Sequence, residues 1–361
     1  MKGLEYMAAQ GYEQLVKWTD QSVGLKALIA IHDTALGPAC GGVRVWPYGS
    51  EEEAIRDVLR LARAMTYKSA AADLSLGGGK AVVIADSKTQ KTQAMLMSLG
   101  RFVDTMRGRY IACTDVGTNS RDMVHIRQET KHVVGLPRSS GGSGDTSIMT
   151  GLGIYNGMKA CAREVWGSDS LKNKRIAVQG FGKVATRTAY HLLKEGARLV
   201  VTDINRTALD NARRMCLKVV SPDAIYDVEC DIFCPCALGG ALNTDTIPRL
   251  RCQVIAGGAN NQLQTVGDGE ELYRLGILYA PDYIINAGGI INVAAEIGAP
   301  YNPDRARRKT ELIYETMQRV IEISKREKIS TSKAADRLAE ERLGLAKPLR
   351  SPRTSSVLSS R

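Results

Sequence analysis

Aromatic residues, histidines and long apolar runs are scarce in this sequence. It has three phenylalanines and four histidines among 361 residues. No apolar run approaches the roughly 20 residues that a membrane-spanning helix requires, which excludes a protein built on transmembrane helices. The first residues are interrupted by Glu5, Gln10 and Glu13, whereas a secretory signal has a continuous apolar core. We therefore expect a cytoplasmic protein with no membrane partner.

The eight cysteines do not follow a metal-binding pattern. Cys230, Cys234 and Cys236 form one cluster, CDIFCPC, and the others are scattered in apolar or strand-like segments. A zinc site would need a second pair of ligands at a suitable spacing, and no histidine lies near this cluster. The sequence therefore predicts reduced, mostly buried thiols and no metal site.

The formal net charge of +11 raises the question of a nucleic-acid partner. Residues 347–361 carry Lys347, Arg350, Arg353 and Arg361 and no acidic residue, among serines and prolines. This composition predicts a basic, disordered tail. A basic tail can contact nucleic acid, but no stacking aromatic residues accompany it. The pattern therefore disfavours nucleic-acid binding as the main function.

The chain is longer than one typical domain, and its apolar segments predict two. In the first part, residues 24–33 have the pattern of a strand, and Ser50 with Glu53 forms a capping-box signature at the start of an amphipathic helix. The segment LSLGGGKAVVIAD predicts a glycine loop that leads into a second strand. Residues 137–147, rich in glycine, serine and proline, are the best linker candidate.

The second part of the chain alternates between strands and helices. A helical stretch over 150–166 is followed by the strand RIAVQ, the helix GKVATRTAYHLLKEG and the strand ARLVVTD. Further short apolar runs are CDIFC, CQVIAG and ILYAP, and the chain beyond residue 287 becomes helical. Such alternation is typical of a doubly wound parallel sheet, so the predicted fold class is α/β.

A dinucleotide-binding pattern lies at the first turn of this alternation. The segment GFGKVA, which begins at Gly180 and includes Val184, follows the strand RIAVQ and opens a helix. Gly180 permits a tight turn, Gly182 lets a pyrophosphate approach the backbone, and Ala185 permits close packing of helix and strand. The helix N-terminus offers oriented N–H donors to the phosphates.

An acidic residue completes the pattern and selects the cofactor. Asp203 ends the next strand, 23 residues after Gly180. A carboxylate there accepts hydrogen bonds from the ribose 2′-hydroxyl and repels a 2′-phosphate, which favours NAD over NADP. Arg206 lies close enough in sequence to weaken this preference, although a solvated arginine is the simpler interpretation.

Six distinctive segments occur in a fixed order over about residues 5–345. They are GPACGGVRVWPY, AMTYKSAAADLSLGGGKAVV, CTDVGTNSRDM, DIFCPCALGGALN, GGANNQL and YAPDYIINAGGIINVAAE. In these segments the chain closely resembles the leucine/valine/phenylalanine dehydrogenases, which are relatives of glutamate dehydrogenase. The resemblance implies NAD-dependent oxidative deamination of an apolar L-amino acid to the 2-oxo acid and ammonia.

The resemblance also implies a division of roles along the chain. It implies a substrate and oligomerisation domain over 1–145, a Rossmann NAD domain over 146–330, and a cleft between them. A C-terminal helix over 331–346 is implied to pack back on the first domain. The family forms homo-oligomers, so an assembly from dimer to octamer is expected.

Three residues are implied in the chemistry. The resemblance assigns Lys68, in MTYK, to the substrate carboxylate and Lys80, in GGGK, to the catalytic base, with Asp115 of TDVGT moving protons between water, amine and solvent. Hydride leaves Cα for the nicotinamide, and water then attacks the imino acid. A fixed cation suits a carboxylate, and the glycines at 77–79 are interpreted as leaving room for substrate. A lone lysine is by default a solvated surface charge, so the resemblance carries these assignments.

Further positions are implied to contact the cofactor. Thr150 and Asn286 correspond to the carboxamide side of the nicotinamide, Asn261 to a residue near the substrate amine and the ribose, and Ala237 to the loop over the cofactor. From the residues alone, a helix cap for Thr150, loop turns for the asparagines and simple packing for Ala237 are equally open.

The side-chain pocket decides which amino acid is used. The resemblance indicates a lining of Cys40, Met65, Cys113, Ile290 and Val293, with Gly41 also on the substrate side. None of these is charged, which argues against glutamate. Relatives commonly carry a larger aliphatic residue at Cys40 and alanine or glycine at Cys113, so the two differences oppose each other. We predict a branched-chain substrate, with phenylalanine or another aromatic amino acid as the alternative.

Two other functions remain as alternatives. A catalytically inactive, NAD-binding regulatory protein would be expected to lack Lys68, Lys80 or Asp115, and all three are present. A hydroxy-acid dehydrogenase on the same fold would use a histidine paired with an acid, and none of the four histidines lies in such a motif.

Overall fold

A computed structural model describes residues 3–346, so the predicted basic tail at 347–361 lies outside the described residues. No helix in this described part is long and apolar enough to cross a membrane. The chain forms two units. The first comprises the chain up to Thr118, Glu129–His132 and the chain from Ala339, and the second comprises Asn119–Gln128 and Val133–Leu338.

The first unit is built on a five-stranded mixed sheet. Its strands are β1 (Gln14–Asp20), β2 (Leu25–Asp33), β3 (Ala39–Trp46), β4 (Gly77–Ile84) and β5 (Tyr110–Thr114). The order is β1-β2-β4-β3-β5; β2 is antiparallel to both neighbours, whereas β3 is parallel to β4 and β5. Its helices are α1 (Gly3–Gln10), α2 (Glu51–Ala71) and α3 (Gln93–Thr105).

Helix α2 begins at the predicted position, but its cap differs from the predicted capping box. The Glu53 N–H donates to the Ser50 Oγ at 3.1 Å, as expected for an N-cap serine. The Glu53 carboxylate, however, accepts from the N–H of Gly49 rather than from that of Ser50. The apolar face of α2 then buries Val58 and Ala62 against the sheet, and this burial holds the helix in place.

The three glycines before Lys80 lie in strand β4, so the predicted glycine loop is wrong. A Cβ on Gly78 would lie 2.1 Å from the backbone nitrogen of Thr66 in α2, and a Cβ on Gly79 would lie 2.8 Å from the Tyr110 ring. Protein atoms therefore fill the space beside these glycines, which we had interpreted as room for substrate. The glycines are needed because α2 and the neighbouring strand approach β4 closely.

The second unit is a doubly wound parallel sheet, as predicted. Its strands run in the order β11-β10-β9-β6-β7-β8, all parallel, and the order reverses between β6 and β9. The strands are β6 (Arg175–Gln179), β7 (Arg198–Thr202), β8 (Lys218–Val219), β9 (Ile232–Pro235), β10 (Val254–Ile255) and β11 (Leu278–Tyr279). In such sheets, ligands bind where the strand order reverses, at the carboxyl ends of the strands.

Ten helices of the described residues belong wholly or partly to this unit. They are α4 (Ser120–Arg127), α5 (Ser147–Trp166), α6 (Lys183–Glu195), α7 (Arg206–Arg214), α8 (Val266–Arg274), α9 (Asp282–Ile285), α10 (Gly288–Ala294), α11 (Pro303–Glu311), α12 (Ile313–Glu327) and the first part of α13 (Thr331–Ala346), whose remainder belongs to the first unit. Ala177, Phe233 and Ile255 lie together in a buried apolar cluster of the sheet. Their burial explains why short apolar runs without polar alternation form parallel strands.

The segment predicted as a linker is held by hydrogen bonds. The Glu296 carboxylate accepts from the backbone N–H of Gly135 at 3.0 Å and from that of Ser143 at 2.8 Å. A Cβ on Gly142 would lie 2.2 Å from the Leu136 carbonyl oxygen. The glycines and serines of this segment therefore form a packed turn within the second unit.

The end of α13 packs on the first unit. Ala339 and Leu343 share a buried apolar cluster with Ala70 of α2. Arg342 donates to the Ala70 carbonyl oxygen at 2.9 Å and forms an ion pair with Asp73 at 3.1 Å. The end of α13, from Ala339 onward, therefore belongs to the first unit, and the domain bounds expected from the resemblance stay a prediction.

All eight cysteines are free thiols, and five of them are buried. Cys234 and Cys236 lie with their Sγ atoms 3.5 Å apart at the end of β9. Among the described residues, no group of three or more histidines, cysteines, aspartates or glutamates is arranged to hold a metal ion.

Candidate active site

Lys80 and Asp115 form a buried ion pair in the first unit. Lys80 lies in β4 with its side chain only 6% exposed, and Asp115 follows the end of β5. The Lys80 Nζ is 2.9 Å from the Asp115 Oδ2. Two of the three residues that the resemblance assigns to the chemistry are therefore in direct contact, and a proton can pass between an amine and a carboxylate at this distance.

Strand β3 lies between β4 and β5, and a glycine at this point lets the ion pair form. A Cβ on Gly42 would lie 2.5 Å from the Asp115 Cβ and 3.2 Å from the Lys80 Nζ. On the preceding residue, Gly41, a Cβ would lie 1.7 Å from the Gly79 carbonyl oxygen. Gly41 was among the predicted site residues, whereas Gly42 was missed; its only signal in the sequence was the doubled glycine of GPACGG.

A second cation, that of Arg44, also contacts Asp115. The Arg44 Nε donates to the same Asp115 Oδ2 at 2.9 Å, and the Arg44 Nη1 donates to the Asp57 Oδ2 at 2.9 Å. Burial would raise the pKa of Asp115, but the charges of Lys80 and Arg44 outweigh it and hold that pKa below its usual range. Asp115 is therefore a carboxylate at neutral pH. Sequence reasoning missed Arg44 and Asp57.

Lys68 lies in the last turn of α2, on the helix that packs over β4. Its side chain is half-buried, and its carbonyl oxygen accepts from the Ala72 N–H at the end of the helix. Met65 lies three residues earlier, so both residues are on neighbouring turns of one helix face. A half-buried lysine at this place can present a cation while its stem packs on apolar atoms.

The predicted pocket residues are distributed over both units. In the first unit, Cys40 has no exposed surface, Cys113 is 7% exposed, and Met65 is half-buried. Cys40 can therefore shape a pocket only through the residues packed on it, whereas Cys113 and Met65 retain exposed atoms. In the second unit, Ile290 and Val293 lie one turn apart on α10 and are nearly buried.

The GFGKVA turn of the second unit has the geometry of an anion site. Gly180 adopts a φ of +88°, and a Cβ there would lie 2.8 Å from the Ala237 Cβ. Gly182 is the N-cap of α6, receives no capping side chain, and has open space where its Cβ would be. Val184 follows in the first turn, and Ala185 is buried against the sheet. The α6 N–H donors are therefore available to a phosphate.

Asp203 is fixed by the same turn. Its Oδ2 accepts from the Phe181 N–H at 2.6 Å and its Oδ1 from the Asn205 N–H at 2.7 Å. Each carboxylate oxygen has two lone pairs, so both oxygens keep an acceptor site for a ribose hydroxyl. The two backbone contacts orient the carboxylate at the end of β7 beside the glycine turn.

The loop after β10 carries Asn261 and, through the adjacent Asn260, contacts the other predicted asparagine, Asn286. The Gly240 N–H donates to the Asn261 carbonyl oxygen at 2.8 Å, which ties this loop to the loop after β9, and Asn261 adopts a φ of +53°. The Asn286 Nδ2 donates to the Asn260 Oδ1 at 2.8 Å, a contact that sequence reasoning missed. The Thr150 hydroxyl donates to the Thr146 carbonyl oxygen at 2.9 Å, within α5 and its first turn.

Two family models match this chain in succession. The model described as the Glu/Leu/Phe/Val dehydrogenase dimerisation domain matches residues 12–132. The model described as Glutamate/Leucine/Phenylalanine/Valine dehydrogenase matches residues 141–212 and 202–349. Together they cover nearly the whole described chain, and both are described as models of amino-acid dehydrogenases.

Individual proteins agree with the family models. The leucine dehydrogenase of Thermoactinomyces intermedius is 53% identical over 352 residues, which are 97% of this chain and 96% of that protein. The phenylalanine dehydrogenase of Bacillus thermotolerans is 46% identical and covers 92% of this chain and 88% of its own. The crystal structure of L-tryptophan dehydrogenase from Nostoc punctiforme is 43% identical, with a TM-score of 0.84 and coverage of 96% of this chain and 99% of that one. This chain belongs to the glutamate/leucine/phenylalanine/valine dehydrogenase family.

Proposed function

We propose that this dehydrogenase catalyses the NAD-dependent, reversible deamination of a branched-chain L-amino acid, with leucine as the main substrate. The products are the 2-oxo acid, ammonia and NADH. The observation that carries the proposal is the buried Lys80–Asp115 ion pair, with 2.9 Å between Nζ and Oδ2, in a chain that is 53% identical to a leucine dehydrogenase. A charge pair this deep in a sheet costs desolvation energy, which a catalytic role explains.

The residues of the first unit divide the acid–base work. Lys68 binds the substrate carboxylate as a fixed cation. Lys80 reacts as the neutral amine, after its ammonium proton has left to solvent, and takes a proton from the substrate α-ammonium group and later from the water that attacks the imino carbon. Asp115 exchanges protons with water and the substrate amine, and gives one to the leaving ammonia. The carboxylate of Asp115 is ionised at neutral pH, so it can accept the proton.

The second unit holds the dinucleotide in this proposal. Bound NAD supplies the acceptor for the hydride that leaves the substrate Cα. The N–H groups at the start of α6 bind the pyrophosphate beside Gly182, and the Asp203 carboxylate accepts from the ribose hydroxyls. The open space at Gly182 and the orientation of Asp203 fit this cofactor. Asn286, held by Asn260, orients the carboxamide in this proposal.

The substrate side chain is apolar in this proposal because the proposed pocket offers no charged partner. Met65 and Cys113 leave exposed apolar atoms in the first unit. A methylene more or less changes binding by about 1–3 kcal/mol in such a pocket, so valine and isoleucine should follow leucine closely. An aromatic substrate is the competing possibility, since the phenylalanine dehydrogenase relative is only a little less similar.

The test is NADH formation at alkaline pH with a panel of L-leucine, L-valine, L-phenylalanine, L-tryptophan and L-glutamate. We expect the highest kcat/KM with leucine and none with glutamate. A preference for phenylalanine would replace the proposed substrate, and no turnover with any of the five would refute the activity. Lys80→Ala should bind NAD with unchanged affinity and lose turnover.

We also propose that the protein forms a homo-oligomer. The match of residues 12–132 to a dimerisation domain supports a subunit contact through the first unit. Light scattering on the purified chain measures the mass directly. A mass of about 39 kDa at micromolar concentration would contradict this proposal.

A further inference from the structure

Arg44 bridges two carboxylates beside the catalytic lysine. Its Nε donates to the Asp115 Oδ2 and its Nη1 to the Asp57 Oδ2, both at 2.9 Å. The guanidinium is planar, so two contacts made from different edges fix its orientation. Only about a fifth of its side chain is exposed, so water screens these contacts weakly.

The far end of this bridge is itself anchored. The Tyr48 hydroxyl donates to the Asp57 Oδ2 at 2.7 Å, and the Arg60 Nη2 donates to the Asp57 Oδ1 at 2.8 Å. Burial, followed by the hydrogen bond to Asp57, raises the pKa of Tyr48 well above its usual value, so the hydroxyl stays protonated and keeps donating. Asp57 lies on α2, so the bridge connects α2 through β3 to Asp115.

The bridge decides which oxygen of Asp115 can react. Lys80 and Arg44 both contact the Oδ2, whereas the Oδ1 accepts no hydrogen bond from any residue in the described part of the chain. With the Oδ2 held by two cations, the carboxylate cannot rotate without losing both contacts. The Oδ1 is therefore left as the acceptor for a proton from water or from the substrate amine.

We propose that Arg44 is a positioning residue for deamination, which holds Asp115 by its Oδ2 so that the Oδ1 accepts the proton in transit. This inference rests on the proposed function, in which Asp115 relays protons. Arg44 itself touches neither substrate nor cofactor in this proposal and acts through Asp115. The Asp57–Tyr48 anchor keeps the guanidinium from following the carboxylate when it becomes protonated.

The charged groups around Asp115 set the expected pH effect. Lys80 faces it from β4 and Arg44 from β3, while Asp57, Tyr48 and Tyr110 interact with this cluster more weakly. Removing Arg44 leaves one cation against the same burial, so the pKa of Asp115 rises. Asp115 must be ionised to accept a proton. As the pH is lowered, a variant without Arg44 should therefore lose activity at a higher pH than the natural enzyme does.

The experiment compares Arg44→Met and Arg44→Lys with the natural enzyme in leucine oxidation across pH. For Arg44→Met we expect kcat to fall roughly 10- to 100-fold, with the KM for leucine changed less than about threefold. The acidic limb of the kcat profile should move up by about one pH unit. Arg44→Lys should restore part of kcat, because it keeps a cation but cannot bridge both carboxylates.

The matched control is Arg101→Met. Arg101 also bridges two carboxylates of the first unit, those of Asp20 and Glu129, but it makes no contact with Lys80 or Asp115. We expect its kcat and pH profile to match the natural enzyme. Equal effects of Arg44→Met and Arg101→Met would overturn the proposal, as would a fall in kcat/KM without any shift of the acidic limb.

Folding of the variants is checked by circular dichroism and by NAD binding. If Arg44→Met does not fold, Arg44→Gln, which is polar and of similar length, takes its place under the same criteria. No turnover by the natural enzyme would refute the proposed function. If the natural enzyme turns over normally and the Arg44 variant has the same kcat and pH profile, the role of Arg44 is refuted but the proposed function is not.

Discussion

The Lys80–Asp115 pair depends on close approaches that most side chains would prevent. The pair spans β3, and Gly42 is the β3 residue next to both partners. Because β3 is hydrogen-bonded to both neighbouring strands, the backbone at Gly42 cannot move away from them. The geometry of this ion pair therefore requires a residue without a side chain at this position.

The Gly42→Ala change tests this requirement. The new methyl group would lie 2.5 Å from the Asp115 Cβ, so Asp115 must move by several tenths of an ångström or more. Displacements of about 1 Å in a reacting group cost on the order of 100-fold in rate. We expect kcat with leucine to fall by roughly this factor, as measured by steady-state NADH formation, while NAD affinity in a fluorescence titration stays the same.

Gly344→Ala serves as the control for Gly42→Ala. Gly344 is an exposed residue of α13, and a Cβ there would meet nothing within 4 Å. Alanine should stabilise this helix position slightly, by up to about 1 kcal/mol, and leave kcat unchanged. If Gly42→Ala kept more than about half of the natural kcat, the argument from close approach would be wrong.

For whole elements, the sequence predicts the second unit better than the first. Each apolar run assigned to a strand there forms one, because a parallel strand buried on both faces is a short uninterrupted apolar segment. In the first unit, the glycines before Lys80 were misread as a loop. Glycine usually weakens a strand, and only the packing of Thr66 and Tyr110 shows why glycine is needed in β4.

The sequence separation between contacting residues explains which site residues could be predicted. Gly180 and Asp203 lie within a local motif whose spacing predicts a dinucleotide site, and Lys80 was assigned by the resemblance of its GGGK segment to the family. Arg44 and Asp57 belong to no such spacing pattern: the contact between them crosses from β3 to α2, and the contact from Arg44 to Asp115 spans 71 residues of sequence. An arginine in a strand is by default a surface residue, so no local pattern distinguishes it.

In the proposed function, the end of β7 and the turn after β6 act together on cofactor choice, and Asp203→Ser tests this proposal. Serine is uncharged, so the variant loses the carboxylate oxygens that accept from the ribose hydroxyls. It also no longer repels a 2′-phosphate. We expect the ratio of kcat/KM for NAD over NADP to fall roughly 10-fold or more. Steady-state kinetics with both cofactors at saturating leucine give this ratio.

Asp210→Ser is the matched control for Asp203→Ser. Asp210 lies on α7 shortly after Asp203 and pairs with Arg213 on an exposed helix surface. Its replacement should leave the cofactor ratio unchanged. An unchanged ratio for Asp203→Ser as well would count against the proposed ribose contact.

Over the whole molecule, the two units contribute different parts of the proposed chemistry. Charged groups of the first unit are proposed to carry the proton steps, whereas backbone N–H groups and one carboxylate of the second unit are proposed to bind the dinucleotide. Both arrangements depend on buried or half-buried charges, which are stabilising only in one protonation state. The pH at which the fold is stable is therefore linked to the residues that carry out the chemistry.

The link between ionisation and stability can be measured at Asp57. Burial would raise the pKa of Asp57, but hydrogen bonds from Tyr48 and Arg60 and the charge of Arg44 hold it below its usual value. A carboxyl group with a lowered folded-state pKa stabilises the protein above its unfolded pKa of about 3.9. The contribution disappears as the pH falls through the lower, folded-state pKa. Acid should therefore weaken the natural protein below about pH 4.

Asp57→Asn should remove this acid dependence. At pH 7 the variant loses charge-assisted hydrogen bonds and leaves Arg44 with one carboxylate, so we expect a loss of about 2 kcal/mol in the free energy of unfolding. At pH 3 the two proteins should differ far less, because Asp57 is by then largely protonated in the unfolded chain. Urea denaturation followed by circular dichroism between pH 3 and 7 measures the difference. As the control, Asp210→Asn at an exposed ion pair should change the free energy of unfolding little at either pH. If the difference in this free energy between Asp57→Asn and the natural protein stayed constant with pH, Asp57 would contribute by packing rather than by charge.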